Sequence, residues 1–177
     1  MLNVRPAMDA DLPALTEIYN HYVVNTPITF DVTPFAPEDR RQWFSDHTGT
    51  GRHRLIVAEE HGRLLGYATT SRFRPKPAYD TTVESTVYCR AGDVRRGIGT
   101  LLYRALFQLI AGEDIRQIVA GVTLPNPASI ALHERLGFHP VGVFPSVGRK
   151  FDRYWDVAWF ERPLKTDARN DGGRRSG

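Results

Sequence analysis

The spacing of apolar positions divides this chain into alternating strands and amphipathic helices. Leu2 to Arg5 reads as a first strand. Asp9 then offers an N-cap to a helix that carries Leu12, Leu15, Ile18, Tyr19, Tyr22 and Val23 on one side, with Pro13 in the first turn where its missing N–H does no harm. A polar loop, Asn25 to Pro34, bears Ile28 and Phe30. Pro37-Glu38-Asp39 opens a second helix through Trp43 and Phe44, predicted to end near Gly49 to Gly51. Leu55 to Glu59 and Leu64 to Ser71 form a hairpin across His61-Gly62. Val83, Val87 and Tyr88, with Thr82 and Thr86, make a strand bounded by Ala91-Gly92-Asp93. A helix follows, its stripe drawn by Leu101, Leu102, Ala105, Leu106, Leu109 and Ile110. Gln117 to Val122 is a further strand. The next helix starts at Pro125-Asn126-Pro127-Ala128-Ser129 and stops at Gly137. Phe138 to Phe144 and Tyr154 to Phe160 read as final strands, joined by Gly148 to Arg153.

One junction in this pattern carries chemistry. Between the central strand and its helix lies Val94-Arg95-Arg96-Gly97-Ile98-Gly99-Thr100. A glycine-bearing turn that feeds a helix N-terminus exposes unpaired N–H groups at the positive end of the helix dipole, which suits a phosphate or pyrophosphate. Two nucleotide motifs are excluded by their letters. Gly92 and Gly97 have P-loop spacing, but Ile98 and Gly99 stand where Lys and Ser or Thr are needed. A dinucleotide fingerprint would require glycine in place of Leu102.

Length and composition narrow the class. A chain of 177 residues is one domain of ordinary size, able to bury roughly 70% of its unfolded surface. No apolar run approaches the ~18 residues of a membrane span, and the N-terminal segment lacks the apolar centre of a signal peptide. A lone Cys89 offers neither an intrachain disulfide nor a thiolate cluster, so the expectation is a cytoplasmic protein with no metal and no membrane partner. The net charge of +3 suggests nucleic acid, yet residues 165–177 hold four basic and two acidic side chains and so two of those three charges. That leaves a near-neutral folded part, residues 1–164, and a polar, basic tail expected to be disordered; no nucleic-acid partner is predicted. Arg72 to Tyr79 combines three cations with two prolines, as a solvated loop or an anion-binding rim.

The order of strand, Val94-Arg95-Arg96-Gly97-Ile98-Gly99, helix and strand, followed by Asn126-x-x-Ser129-x-x-x-His133 and Leu136-Gly137-Phe138, resembles the GNAT superfamily of acetyl-CoA-dependent N-acetyltransferases. Asn20-His21, Ala78-Tyr79, Val83 to Tyr88, Leu132-His133-Glu134 and Val147-Gly148-x-Lys150-Phe151 are similar to its phosphinothricin and methionine sulfoximine acetyltransferase branch. The resemblance spans residue 2 to about residue 164. It implies an α/β (α+β) fold: a mixed, twisted sheet of about seven strands, splayed near its middle, with helices on both faces.

It also implies a site. Backbone amides of Arg95, Arg96, Gly97, Ile98, Gly99 and Thr100 would take the coenzyme A pyrophosphate, with Val94 standing where the family has Gln or Arg, a loss expected to weaken affinity without abolishing it. Val87, Tyr88 and Cys89 would pair with pantetheine as an added strand does, Asn126 would hold its arm, and Arg135 would reach a phosphate. Glu84 would be the base that takes the ammonium proton of the acceptor. His133, where many relatives carry a tyrosine, would protonate the leaving thiolate or else be a satisfied helix histidine. Cys89 is read as packing. Arg72, Arg74, Pro77, Ala78, Tyr79 and Phe30 would form the acceptor site, suited to a small amino acid analogue with an anionic end. The family typically dimerises, so a homodimer is expected. A peptide N-terminal acetyltransferase and a non-catalytic acyl-CoA sensor remain open beside this reading.

Overall fold

A computed structural model of the chain describes residues 1–47, 49–93 and 97–164. The tail expected beyond Leu164, and Val94, Arg95 and Arg96 of the central turn, lie outside the described residues. Strand β1 (Leu2–Pro6) leads through a short 3-10 turn into helix α1 (Leu12–Asn25), and helix α2 (Arg41–Ser45) precedes the hairpin β2 (Arg54–Glu60) and β3 (Arg63–Arg72). Then come β4 (Thr82–Cys89), α3 (Ile98–Ile110), β5 (Gln117–Thr123), α4 (Pro127–Arg135), β6 (His139–Lys150) and β7 (Arg153–Pro163).

These strands form one seven-stranded sheet in the order β1-β2-β3-β4-β5-β7-β6. Every neighbouring pair is antiparallel except β4 and β5, which run parallel and pair over only Thr82 to Glu84 against Gln117 to Val119. Beyond Glu84 the two strands part, and the sheet opens at its middle. Strand alternation sends successive side chains of β4 to opposite faces. Val83, Val87 and Cys89 pack with Leu102, Leu106 and Ile110 of α3. Tyr88 packs instead with Tyr67, Leu15 and Ile18 under α1.

Four sequence expectations need correction. Asp9 does not cap α1; Asp11 takes the Met8 N–H and a bidentate contact from Arg5, so an ion pair fixes that entrance. The second helix does not reach Gly49, because Pro37–Arg40 winds as a 3-10 turn and α2 is only five residues long. The apolar face of α3 is rotated: Tyr103 and Phe107 are buried while Leu101 and Leu109 are exposed. Finally, β6 runs through Lys150, and the connection to β7 is just Phe151-Asp152, both at φ near +54° as a two-residue hairpin of mirror-image type requires.

Candidate active site

The splay between β4 and β5 creates the central slot. Arg90 N–H donates to the Leu65 carbonyl at 2.7 Å, which fixes the ladder parity: Tyr88, Thr86 and Glu84 bond to β3, while Val87 and Cys89 turn their backbone groups away from it. Past Glu84 that outward side has no β5 partner strand. Val87 therefore presents N–H and C=O to the gap, as an extended ligand bearing amides would require. The Cys89 carbonyl accepts from the Tyr22 hydroxyl at 2.5 Å, and Tyr88 contributes a ring rather than backbone, being paired with Tyr67.

At the top of the slot stands α3. Gly97 takes the left-handed conformation, φ +76°, and leads into Ile98, Gly99 and Thr100, whose N–H groups belong to the first turn and precede the first helical bond, Leu101 N–H to Gly97. Cys89 sits below them; its sulfur accepts the Gly99 N–H, and burial raises the thiol to about 11. It is thus a neutral packing group at neutral pH. Helix α4 closes on this turn: a Cβ added at Gly99 would stand 3.1 Å from a Leu132 methyl group. Arg135, exposed, lies one turn beyond Leu132 on the same side of α4. Asn126 caps α4 by accepting the Ser129 N–H at 3.1 Å through its Oδ1, some ~9 Å from Leu132 along the helix. The Ile98 and Thr100 amides, with Gly97 and Gly99 beside an unpaired strand edge, fit a pyrophosphate with a pantetheine arm.

On the α1 face of β4 lies the acid chemistry. Glu84, half-buried, shares that face with Thr86, whose hydroxyl bonds Thr69 at 2.7 Å. Burial raises the Glu84 carboxyl above the ordinary glutamate value, and the Arg74 guanidinium partly offsets this. Arg74 is therefore the cation that acts on Glu84. Arg72, at the end of β3, instead lines a cavity with His53, Trp43 and His47.

His133 occupies the core. It is 3% exposed, between Phe138 and Phe160. Its Nδ1 lies 2.8 Å from the Ser129 carbonyl, which can only accept, so Nδ1 carries the proton and Nε2 accepts from the Tyr103 hydroxyl at 3.2 Å. Burial lowers its pKa. With both nitrogens engaged inside the core, the structural role is favoured of the two that the sequence left open. Tyr103, which the stripe of leucines concealed, in turn reaches Ser85 on β4.

The acceptor side is closed by a loop and a hairpin. Phe30 lies directly on Gly148 of β6, where any Cβ would overlap its ring. Lys150, 4% exposed, donates to the Thr29 carbonyl at 2.8 Å and the Tyr22 carbonyl at 3.4 Å, holding the loop to the strand. Pro77, Ala78 and Tyr79 form an exposed 3-10 turn; Tyr79 meets Phe73 edge-on at 5.8 Å, and Phe73 meets Trp159 at 6.2 Å. Gly148 and Lys150 belong to the Val147 to Phe151 loop that the sequence suggested as a shaper of the pocket, whereas Phe73 and Trp159 were absent from the residues expected there.

Comparison with known proteins agrees with this fold. Residues 4–159 match the family model described as the acetyltransferase (GNAT) domain. A phosphinothricin N-acetyltransferase of Streptomyces coelicolor is 55% identical over 92% of this chain and 96% of its own. An L-methionine sulfoximine/L-methionine sulfone acetyltransferase of Pseudomonas aeruginosa is 36% identical over 92% and 94%. Among solved structures, a phosphinothricin acetyltransferase from Sinorhizobium meliloti in complex with acetyl-CoA superposes with a TM-score of 0.87, at 34% identity over 99% of each chain. The chain belongs to the GNAT acetyltransferase family. It is an N-acetyltransferase that uses acetyl-CoA, and the open seven-stranded sheet is that family's fold. Among the described residues, no helix is long and apolar enough to cross a membrane.

Proposed function

We propose that the chain acetylates the primary amine of a small amino acid analogue with an anionic end, of the phosphinothricin, methionine sulfoximine or methionine sulfone type. One observation carries the reading: a half-buried carboxylate, Glu84, stands where β4 leaves β5, with the Arg74 cation acting on it. A positive group beside a proton acceptor suits a zwitterion, whose anionic end needs a fork and whose ammonium must lose a proton. The names of the two curated relatives describe substrates of this kind.

Each residue then has a task. Acetyl-CoA supplies the activated acyl group. Ile98 and Thr100 amides, with Arg135, hold its pyrophosphate, Gly99 lets it approach the turn closely, and Asn126 and the Val87 backbone hold its arm. The Val87 N–H polarises the acyl carbonyl. Glu84 removes the ammonium proton; its raised pKa places its basicity nearer to the working pH than an exposed glutamate would have. Arg74 takes the anionic end, and Phe30 and Tyr79 form apolar walls. His133 acts as a positioning residue for Tyr103 and Ser85 beneath β4. The protein works as a cytoplasmic homodimer: edge strand β6 and its turn expose Val141, Val143, Phe144, Val147 and Phe151, each at least half accessible, a strip suited to a second copy.

The test is thiol release from acetyl-CoA with phosphinothricin, methionine sulfoximine, methionine sulfone and short peptides as acceptors. Turnover is expected on the anionic analogues and not on peptides. Glu84→Gln is expected to lose about 10²- to 10⁴-fold in kcat at neutral pH while still binding acetyl-CoA. Peptide turnover with inert analogues would overturn the substrate class.

A further inference from the structure

A second polar pair lies next to Glu84, on a part of the molecule that acetyl transfer does not otherwise use. Ser71 of β3 is the direct ladder partner of Glu84 on β4. Residues so paired share a face, with Cβ atoms about 5 Å apart, within reach of a glutamate directly or through one water. The Ser71 hydroxyl lies 3.0 Å from His47 Nε2. His47 Nδ1 is 2.7 Å from the Trp43 carbonyl, which accepts only. The proton of the neutral imidazole is therefore on Nδ1, Nε2 is an acceptor, and Ser71 donates to it. This orientation leaves the Ser71 oxygen lone pairs for a donor arriving from the Glu84 side.

Ser71 and His47 also wall a cavity of about 490 Å³, completed by Trp43, Asp46, His53 and Arg72. Glu84 thus has a substrate side toward β5 and, behind it, a polar path toward a chamber large enough for several waters. We propose that Ser71 and His47 form the proton outlet of Glu84, carrying each proton taken from the acceptor ammonium into this cavity. The inference rests on Glu84 being the base.

The steps balance. Glu84 takes one proton and becomes a neutral acid. It gives that proton to the Ser71 oxygen as the Ser71 hydroxyl proton passes to His47 Nε2. The imidazolium, still held through Nδ1–H by Trp43, releases the Nε2 proton to cavity water, and Glu84 is again a carboxylate. The groups facing His47 set how readily it lets go: Asp46 favours the cation, while Arg40, His53 and burial disfavour it, and Arg72 lies across the cavity. Burial dominates and lowers the His47 pKa, so the relay does not trap the proton.

The test compares the full-length protein with Ser71→Ala, Ser71→Thr, His47→Ala and Glu84→Gln, measuring kcat and both KM values against pH, in dilute and concentrated buffer. Ser71→Ala and His47→Ala are expected to lose on the order of 10-fold in kcat in dilute buffer, less than loss of the base itself, with both KM values unchanged. Ser71→Thr, which keeps the hydroxyl, should recover most of the rate lost in Ser71→Ala. Added imidazole, which fits the cavity, should restore His47→Ala. A loss that neither imidazole nor concentrated buffer lifts, or no loss while Glu84→Gln is impaired, overturns the outlet and leaves the base standing. Full activity in Glu84→Gln would remove the base and the outlet together.

Discussion

The two sides of β4 are built from different materials. Toward α3 the proposed binding surface is backbone: first-turn amides behind Gly97 and the outward edge of Val87. Toward α1 it would be side chains, with Glu84, Arg74, Phe30 and the Ser71–His47 pair drawn from four separate segments. Backbone amides tolerate almost any side chain so long as the turn and its glycines keep their conformation. Side-chain sites specify chemistry, and one substitution changes it. A family can therefore keep one donor, acetyl-CoA, and vary the acceptor.

This contrast can be broken most severely at Arg74. Arg74→Ala should raise KM for an anionic acceptor by roughly 10- to 100-fold, as expected for the loss of a charge-assisted contact, while KM for acetyl-CoA stays constant; steady-state kinetics in both substrates separates the two. Gly148→Ala drives a methyl group into Phe30, a clash that costs about 1–3 kcal/mol or displaces the ring. It is expected to raise acceptor KM by about 10-fold and to lower Tm, with acetyl-CoA affinity retained in calorimetry. On the backbone side a side-chain loss should matter little: Arg135→Ala is expected to weaken acetyl-CoA by about 3-fold, and more weakly still at high salt.

The smallest effect concerns stability. The native Glu84 carboxyl has a raised pKa, so between the unfolded and folded values the native state binds more protons, and stability falls as pH rises through that window. Glu84→Gln escapes this cost. Its Tm is expected to exceed the parent's at neutral pH and to match it near pH 4, measured by thermal melts at both.

How much was legible in the sequence follows the same division. The glycine turn, the strand before it and the helix after it are contiguous, so a linear reading finds the cofactor half, although three of its residues, Val94 to Arg96, lie outside the described residues. Gly137 likewise marks the end of α4, at φ +82°. The acceptor half escapes such a reading because its contacts join distant positions: His47 with Ser71, Lys150 with Thr29, Phe30 with Gly148. The β6–β7 turn was hidden for another reason. Phe151 and Asp152 both hold positive φ without glycine, against a local preference of about 1–2 kcal/mol per residue, so no turn signal announces them. The misread face of α3 is a matter of competition, since leucines and aromatics both fit the helical period and the buried side went to Tyr103 and Phe107.

The parting of β4 from β5 after three paired residues means that the free protein carries an unfinished strand edge in the middle of its own sheet rather than at its rim. Such edges are where chains add to one another. In the proposed reading the added strand would be a metabolite: pantetheine would complete the ladder, and the amides of Val87 and Cys89 are then expected to pass from fast to slow hydrogen exchange. At a free concentration about 100 times its Kd, the coenzyme would add about 2.7 kcal/mol to the folded state. Occupancy of this edge would then set the stability of the protein as well as its readiness to react.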